Sequence, residues 1–212
     1  MTNPAVQTLI FDLGNVLFDI DIPRGFQQIQ DLLKNEMNTT DWKEDFTSII
    51  QRYETGKITT EMFVALVLDH CHDHVQTHDV IRAWNSILIG MPASSMDLLQ
   101  TLAQKYPMFL LSNINELHYD RFLEMLPLGY ELQDFEHLFE HCYYSHILGK
   151  RKPDVAAFKH ILTTHQLDPS TTLFMDDMVE NIISAQSLGI QTLLIQPGHT
   201  EIQIKNYLWG LS

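Results

Sequence analysis

A chain of 212 residues, 45% hydrophobic and 19% charged, has the composition of a folded protein with one substantial core, or a core carrying an insertion. Its formal net charge of −14 argues against nucleic acid and anionic membrane surfaces as partners, and obliges any anionic ligand to find a local positive centre. Two cysteines, Cys71 and Cys142, make no disulfide framework, the N-terminus MTNPAVQTLIF lacks a basic leader, and no apolar run approaches the ~20 residues of a membrane span, so a soluble cytoplasmic protein is expected.

The first apolar run, QTLIFD (7–12), reads as a buried strand that ends on Asp12 and turns at Gly14 and Asn15. Roughly 95 residues separate it from the next strand, far more than the ~10–12 that a strand–helix–strand crossover needs. That segment is helical in pattern through FQQIQDLLKNEM, DWKEDFTSIIQRYETG, TTEMFVALVLDHCH and DVIRAWNSILIG, with Asp41 and Thr59 as N-caps and Gly56 and Gly90 as stops. It predicts a helical cap over residues 19–89, inserted into a core of residues 1–18 and 90–212.

Beyond the insertion, MFLLSN (108–113), CYYS (142–145), TLFMDD (172–177) and QTLLIQ (191–196) read as further strands. They alternate with helical segments such as DVAAFKHILTTHQ and MVENIISAQSLG. The alternation predicts an α/β fold, a Rossmann-like parallel sheet covered on both faces.

In such sheets ligands bind outside the carboxyl ends of the strands. The first strand ends in Asp12, the second in Ser112 and Asn113, the fourth in Asp176 and Asp177, and Lys152 precedes Pro153, a natural helix start. Three carboxylates at one edge repel one another unless a cation joins them, and Mg²⁺, which prefers oxygen ligands and keeps several waters, relieves that repulsion. Lysine beside them suggests an anionic ligand as well. Phosphate meets both conditions, with Asp12 attacking phosphorus.

The set FDLGNV, LLSN, GKRKPD and FMDDMVEN resembles, in order, the four motifs of the haloacid dehalogenase-like (HAD) superfamily, in the branch with a helical cap after the first strand. YETGKITTEMF and AWNSILIGMP are similar to cap segments of that branch, so the resemblance spans essentially the whole chain. It is nearest to bacterial phosphatases of glucose-1-phosphate and related sugar phosphates. The resemblance implies a Mg²⁺-dependent phosphatase of a small phosphorylated metabolite, with Asp12 as the nucleophile that forms an aspartyl-phosphate. It implies Ser112, Asn113 and Lys152 as phosphate-binding residues, Lys152 also stabilising the transferred charge. Metal ligands are implied at Asp12, Asp177 and the Gly14 carbonyl, with Asp176 a further ligand or a supporting partner, and Asn181 steadying the last loop.

In most phosphatases of this superfamily the residue at the Gly14 position is an aspartate that protonates the leaving oxygen and activates water. Glycine keeps the carbonyl and loses the acid, whose help is worth roughly 10²–10⁴-fold. Three readings follow: a substrate that leaves easily, such as an anomeric sugar phosphate; a substitute acid, for which Asp19 and Asp21 are candidates; or a catalytically weak protein that binds a phosphometabolite. A 2-haloacid dehalogenase also lacks the second aspartate, but needs no metal, which the Asp176–Asp177 pair speaks against.

DHCHDHVQTH (69–78) places His70, Cys71, His72, His74 and His78 together without the spacing of a familiar zinc site, and surface histidines are expected there. HLFEH (137–141) matches an inverted zinc-protease pattern and is assigned to a solvent-facing helix. Trp42, Tyr53, Phe63 and Trp84, at helical spacing, are expected in the cap interior, with room for one to line a sugar pocket.

Overall fold

Five short strands join in one parallel sheet, the three inner ones continuous apolar runs and the two edge strands more polar. In chain order they are β1 (Thr8–Phe11), β4 (Met108–Ser112), β5 (His141–Tyr144), β6 (Thr172–Asp176) and β7 (Gln191–Leu194), and across the sheet they run β5–β4–β1–β6–β7. A computed structural model describes residues 5–34 and 40–210. β1, β4 and β6 are buried along their whole length, with Phe11 level with Leu110 on one side and Met175 on the other. Asp12 therefore leaves the sheet at its centre, flanked by the ends of β4 and β6.

The helices α5 (Ala93–Ala103), α6 (Glu116–Glu124), α7 (Leu132–Glu136), α8 (Ser145–Leu148), α9 (Val155–Thr164), α10 (Val179–Gln186) and α11 (Thr200–Trp209) accompany this sheet. One cluster of the interior gathers Leu9, Phe11, Leu110 and Met175 with Met96, Leu99 and Phe122; another gathers Ile10, Phe109, Leu111 and Phe174 with Phe158 and Ile161. Alternate residues of each strand thus feed opposite faces. The two-sided burial follows from the continuous apolar runs.

Between β1 and β4 the chain forms a two-stranded antiparallel ribbon, β2 (Asp19–Ile20) and β3 (Leu88–Gly90), with Asp19 opposite Gly90. Between its strands lie α1 (Ile22–Gln30), α2 (Thr40–Glu54), α3 (Thr60–Leu68) and α4 (Thr77–Asn85), which share their own interior of Trp42, Phe46, Tyr53, Phe63, Val67 and Trp84. The four aromatics expected inside are all buried, with Tyr53 stacked on Phe63 at 4.5 Å.

Local expectations fare unevenly. Thr59 caps α3, accepting from the Met62 N–H at 3.3 Å. α2 starts at Thr40, ahead of Asp41, whose side chain lies outside the described residues. The last helix of the insertion stops at Asn85 rather than Gly90, because the run Leu88–Gly90 is extended and pairs with β2. Pro153 does not open α9; Asp154 caps it, accepting from the Ala156 N–H at 2.9 Å. HLFEH is no helix: α7 ends at Glu136, and His141 already belongs to β5.

Side chains tie the insertion to the sheet domain. The Leu117 N–H donates to the Tyr53 hydroxyl at 3.1 Å, and Thr60 hydrogen-bonds Glu116. Gly56, at φ +65°, passes so close to α8 that a Cβ there would lie 2.3 Å from the His146 carbonyl oxygen. His118 Nε2 donates to the Trp84 carbonyl at 3.1 Å while Nδ1 takes the Asn115 amide at 3.1 Å.

Burial holds His118 down to about 4, against the pull of its bond to Trp84, so it is neutral at pH 7. A depressed folded-state value means stability present above the ordinary 6.5 and lost as pH falls toward 4, about 3 kcal/mol in all once pH lies below the folded value. Urea unfolding is expected to show this loss between those two pH values, and a His118→Gln variant to show a flatter curve there. Parallel curves for both proteins would assign the acid sensitivity elsewhere.

Candidate active site

The geometry at the sheet edge starts with β1. The Asp12 N–H donates to the Met175 carbonyl at 2.9 Å, which carries strand pairing to the last residue before the turn. The chain then folds back on itself: the N–H groups of Leu17 and Phe18 donate to the Leu13 carbonyl at 2.8 and 2.9 Å, and that of Asn15 to the Phe18 carbonyl at 2.7 Å. None of these bonds uses the Gly14 carbonyl. Asn15 sits at φ +56°, a left-handed conformation that asparagine tolerates. Its side chain donates to Asp177 Oδ2 at 2.9 Å and accepts from the Ile20 N–H at 3.3 Å, joining the first and last loops of the site.

Lys152 lies at the centre of the charge arrangement. It is 1% exposed, and its Nζ donates to Asp12 Oδ1 at 2.6 Å and to Asp176 Oδ2 at 2.7 Å. The loop after α8 reaches this point because Asn113 grips it: Asn113 Nδ2 donates to the Lys152 carbonyl, and Oδ1 accepts from the Lys152 N–H, both at 2.9 Å. The Asn113 amide is thus committed to placing the lysine. Ser112, also buried, makes no side-chain hydrogen bond among the described residues, which leaves its hydroxyl free on the cavity wall.

The two neighbouring aspartates differ sharply. Asp176 is fully buried; Oδ1 accepts from the Met178 N–H at 2.8 Å and from Asn181 at 3.0 Å, while Oδ2 takes Lys152 and Asn181 at 3.0 Å. Asp177 is only partly buried and is held through Oδ2 alone. Asp12, Asp176 and Asp177 each bring one carboxylate oxygen within 4.8 Å of the others, the single such cluster of metal-ligating side chains among the described residues. Among the described residues the histidines at 70–78 form no such cluster, although His72 and His74 stack at 5.7 Å.

Burial pushes the Asp12 carboxyl up to about 7, with Lys152 opposing the shift and Asp176 adding to it. Asp177 is also raised, by burial first, with the Asn15 hydrogen bond opposing and the Asp176 charge adding. Burial works against the Lys152 ammonium, yet Asp12 and Asp176 together hold it above its ordinary value. Three carboxylates against one ammonium leave a net negative pocket of oxygen ligands. This donor set suits Mg²⁺, with Asp12, Asp177 and the Gly14 carbonyl the groups least engaged elsewhere.

A cavity of about 390 Å³ opens from these residues toward α1, α2 and α4. Phe26, Ile50, Trp84, Ile87 and Phe122 line its apolar side, and Thr47, Gln51 and Glu54, one stripe of α2, line a polar side. Gly14 does not leave an empty slot: a Cβ there would lie 2.7 Å from Ile20 Cδ1, so isoleucine fills the space a longer side chain would take. Of the proposed substitute acids, Asp19 is exposed and Asp21 caps α1 through the Arg24 N–H at 3.0 Å; neither lines the cavity.

Asn15, Glu54 and Arg151 belong to the site without having been singled out in the sequence. Arg151 Nε donates to Glu54 Oε2 at 3.0 Å, bridging α2 to the residue beside Lys152. A second basic residue in GKRKPD was the one available hint.

Known proteins fit this arrangement. The family pattern of haloacid dehalogenase-like hydrolases matches residues 6–189. The chain is 28% identical to D-ribitol-5-phosphate phosphatase of Bacteroides thetaiotaomicron over 91% of this chain and 93% of that protein. It is 26% identical to a sesquiterpene phosphatase of Aspergillus oryzae over 85% of each. Among solved structures, a HAD family enzyme of B. thetaiotaomicron in complex with magnesium and inorganic phosphate superposes with a TM-score of 0.79 at 29% identity, covering 92% of this chain and 96% of that one. With the sheet order, the edge carboxylates and a family match over most of its length, the chain belongs to the haloacid dehalogenase-like hydrolases.

Proposed function

We propose that this HAD-like phosphatase cleaves small phosphorylated metabolites, sugar phosphates such as glucose-1-phosphate among them, through an aspartyl-phosphate on Asp12, with residues 19–89 acting as the cap over the site. The observation that carries the reading is the buried Lys152 held between Asp12 and Asp176, beside the freer Asp177. A carboxylate nucleophile against one fixed ammonium is built to receive a phosphoryl group in line. Magnesium, when bound by Asp12, Asp177 and the Gly14 carbonyl, neutralises the phosphoryl oxygens and offsets the crowded carboxylates. Ser112 offers a hydroxyl to one phosphoryl oxygen, and Lys152 a charge-assisted donor to another, with Asp176 and Asn181 keeping that lysine aimed.

The dehalogenase reading has less support, since an ammonium and three carboxylates at one point suit a metal and a phosphate better than a neutral carbon–halogen bond. Mg²⁺-dependent phosphate release from an aryl phosphate, glucose-1-phosphate and glucose-6-phosphate tests the proposal. Release from the aryl and anomeric esters is expected even without a proton donor, and release from the 6-phosphate as well points to an acid that stands in for the one missing at Gly14. Silence on all three, alongside phosphate binding, would turn the reading to a binding protein.

A further inference from the structure

Breaking an unactivated phosphate ester expels an alkoxide unless a proton reaches the bridging oxygen, and Gly14 offers none. This inference rests on the phosphatase reading above. Asp176 has its oxygens occupied, Asp12 is the attacking group, and Asp177 is assigned to the metal. His118 lines the cavity, but both ring nitrogens are hydrogen-bonded to Asn115 and Trp84. The remaining carboxyl groups on the cavity wall are Glu54 and Glu180, and Glu180 is exposed in the first turn of α10.

Glu54 is different. Its side chain is 15% exposed, Arg151 fixes Oε2 at 3.0 Å, and Oε1 has no partner among the described residues. Arg151 precedes Lys152 in the chain, and Glu54 shares the wall of one cavity with Arg151, Lys152 and Asp12. We propose that Glu54 is the proton donor to the leaving oxygen and, once ionised, the base for the hydrolytic water. In the first step Asp12 bonds to phosphorus, the phosphorus–ester oxygen bond breaks, and that oxygen takes the Glu54 proton to leave as the neutral alcohol. In the second step water bonds to phosphorus and passes a proton to Glu54, and the bond to Asp12 breaks, restoring both carboxyl groups and releasing phosphate.

Burial raises the Glu54 carboxyl above its ordinary value, with the opposing charges of Arg151 and Lys152 reducing the effect. A phosphate dianion arriving beside Lys152 offsets that ammonium and favours the protonated carboxyl further. The acid then sits nearer the working pH, where proton transfer is most effective.

Glu54→Gln keeps the volume and an oxygen for Arg151, so its melting temperature is expected to stay near that of the parent. Rapid mixing with an aryl phosphate and with glucose-6-phosphate separates the two steps. The aryl ester, which leaves unprotonated, is expected to give a full burst of phenol followed by slow turnover, with phosphate accumulating on the peptide that contains Asp12. Glucose-6-phosphate is expected to lose ~10²–10⁴-fold in the first step itself, together with the parent's fall in rate at high pH. An equal loss of the burst on both esters, or no loss on either, would overturn the role of Glu54 while leaving the phosphatase reading intact. No Asp12-dependent release of phenol by the parent protein would remove both.

Discussion

Replacing Asp12 by asparagine is expected to lower Mg²⁺-dependent phosphate release by at least ~10⁴-fold on every substrate, the scale on which losing a covalent nucleophile removes turnover. An amide has no anionic oxygen to bond to phosphorus, so nothing remains for the second step to hydrolyse. The fold has no reason to fail. The amide oxygen still accepts the Lys152 hydrogen bond that Asp12 takes at 2.6 Å, the side-chain volume is kept, and one of three crowded carboxylates is gone. Comparable melting temperatures and a lost burst on an aryl phosphate are therefore predicted together. Turnover within tenfold of the parent would refute the nucleophile assignment, because Asp12 is the carboxylate at the central strand's end that meets the lysine and lines the cavity.

The strand-end chemistry was legible because a parallel strand buried on both faces must be written as an apolar run, and its end is where that run meets a polar residue. Asp12, Ser112 and Asp176 are each contiguous with such a run, so their convergence follows from the sheet order alone. Direction of side chains was not legible in the same way. Asn113 looks like a phosphate ligand in LLSN, yet its amide faces the Lys152 backbone, a contact across 39 positions that no local pattern encodes. Residue type does not separate Asp176 from Asp177, and the resemblance left the role of Asp176 open; the fold distinguishes the saturated, buried carboxylate from the freer one. The return strand Leu88–Gly90 was read as the end of a helix because so short a run suits either structure until β2 supplies a partner. Glu54 and Arg151 were invisible for a simpler reason. Ion pairs between α2 and a distant loop depend on how the insertion docks, and docking leaves no periodicity in a chain.

Lys152→Met should cost more stability than any other single change at the site. The lysine is the cation that Asp12 and Asp176 both contact, and each is almost wholly buried. Methionine keeps the apolar stem but leaves both carboxylates unpaired, a situation that costs about 3–5 kcal/mol when one partner of a buried pair is removed. Turnover should fall as well, by ~10²–10³-fold, as when one fixed electrostatic stabiliser is lost. The pH dependence separates charge from packing. Lys152 has a raised folded-state value, so its contribution in the parent is present throughout the range below its ordinary 10.5 and disappears only as pH rises through the folded value. Without it, the Asp12 carboxyl climbs further above its unfolded value, which makes the variant bind more protons folded than unfolded. Its stability is therefore greatest in acid and declines as pH rises past the ordinary 3.8 of an aspartate. Urea unfolding at pH 5 and pH 8 is expected to show a larger deficit at the higher pH, and adding Asp176→Asn to the variant should recover part of it. A deficit equal at both pH values would mean that Lys152 is held there by its packing, with the carboxylates neutralised by other means.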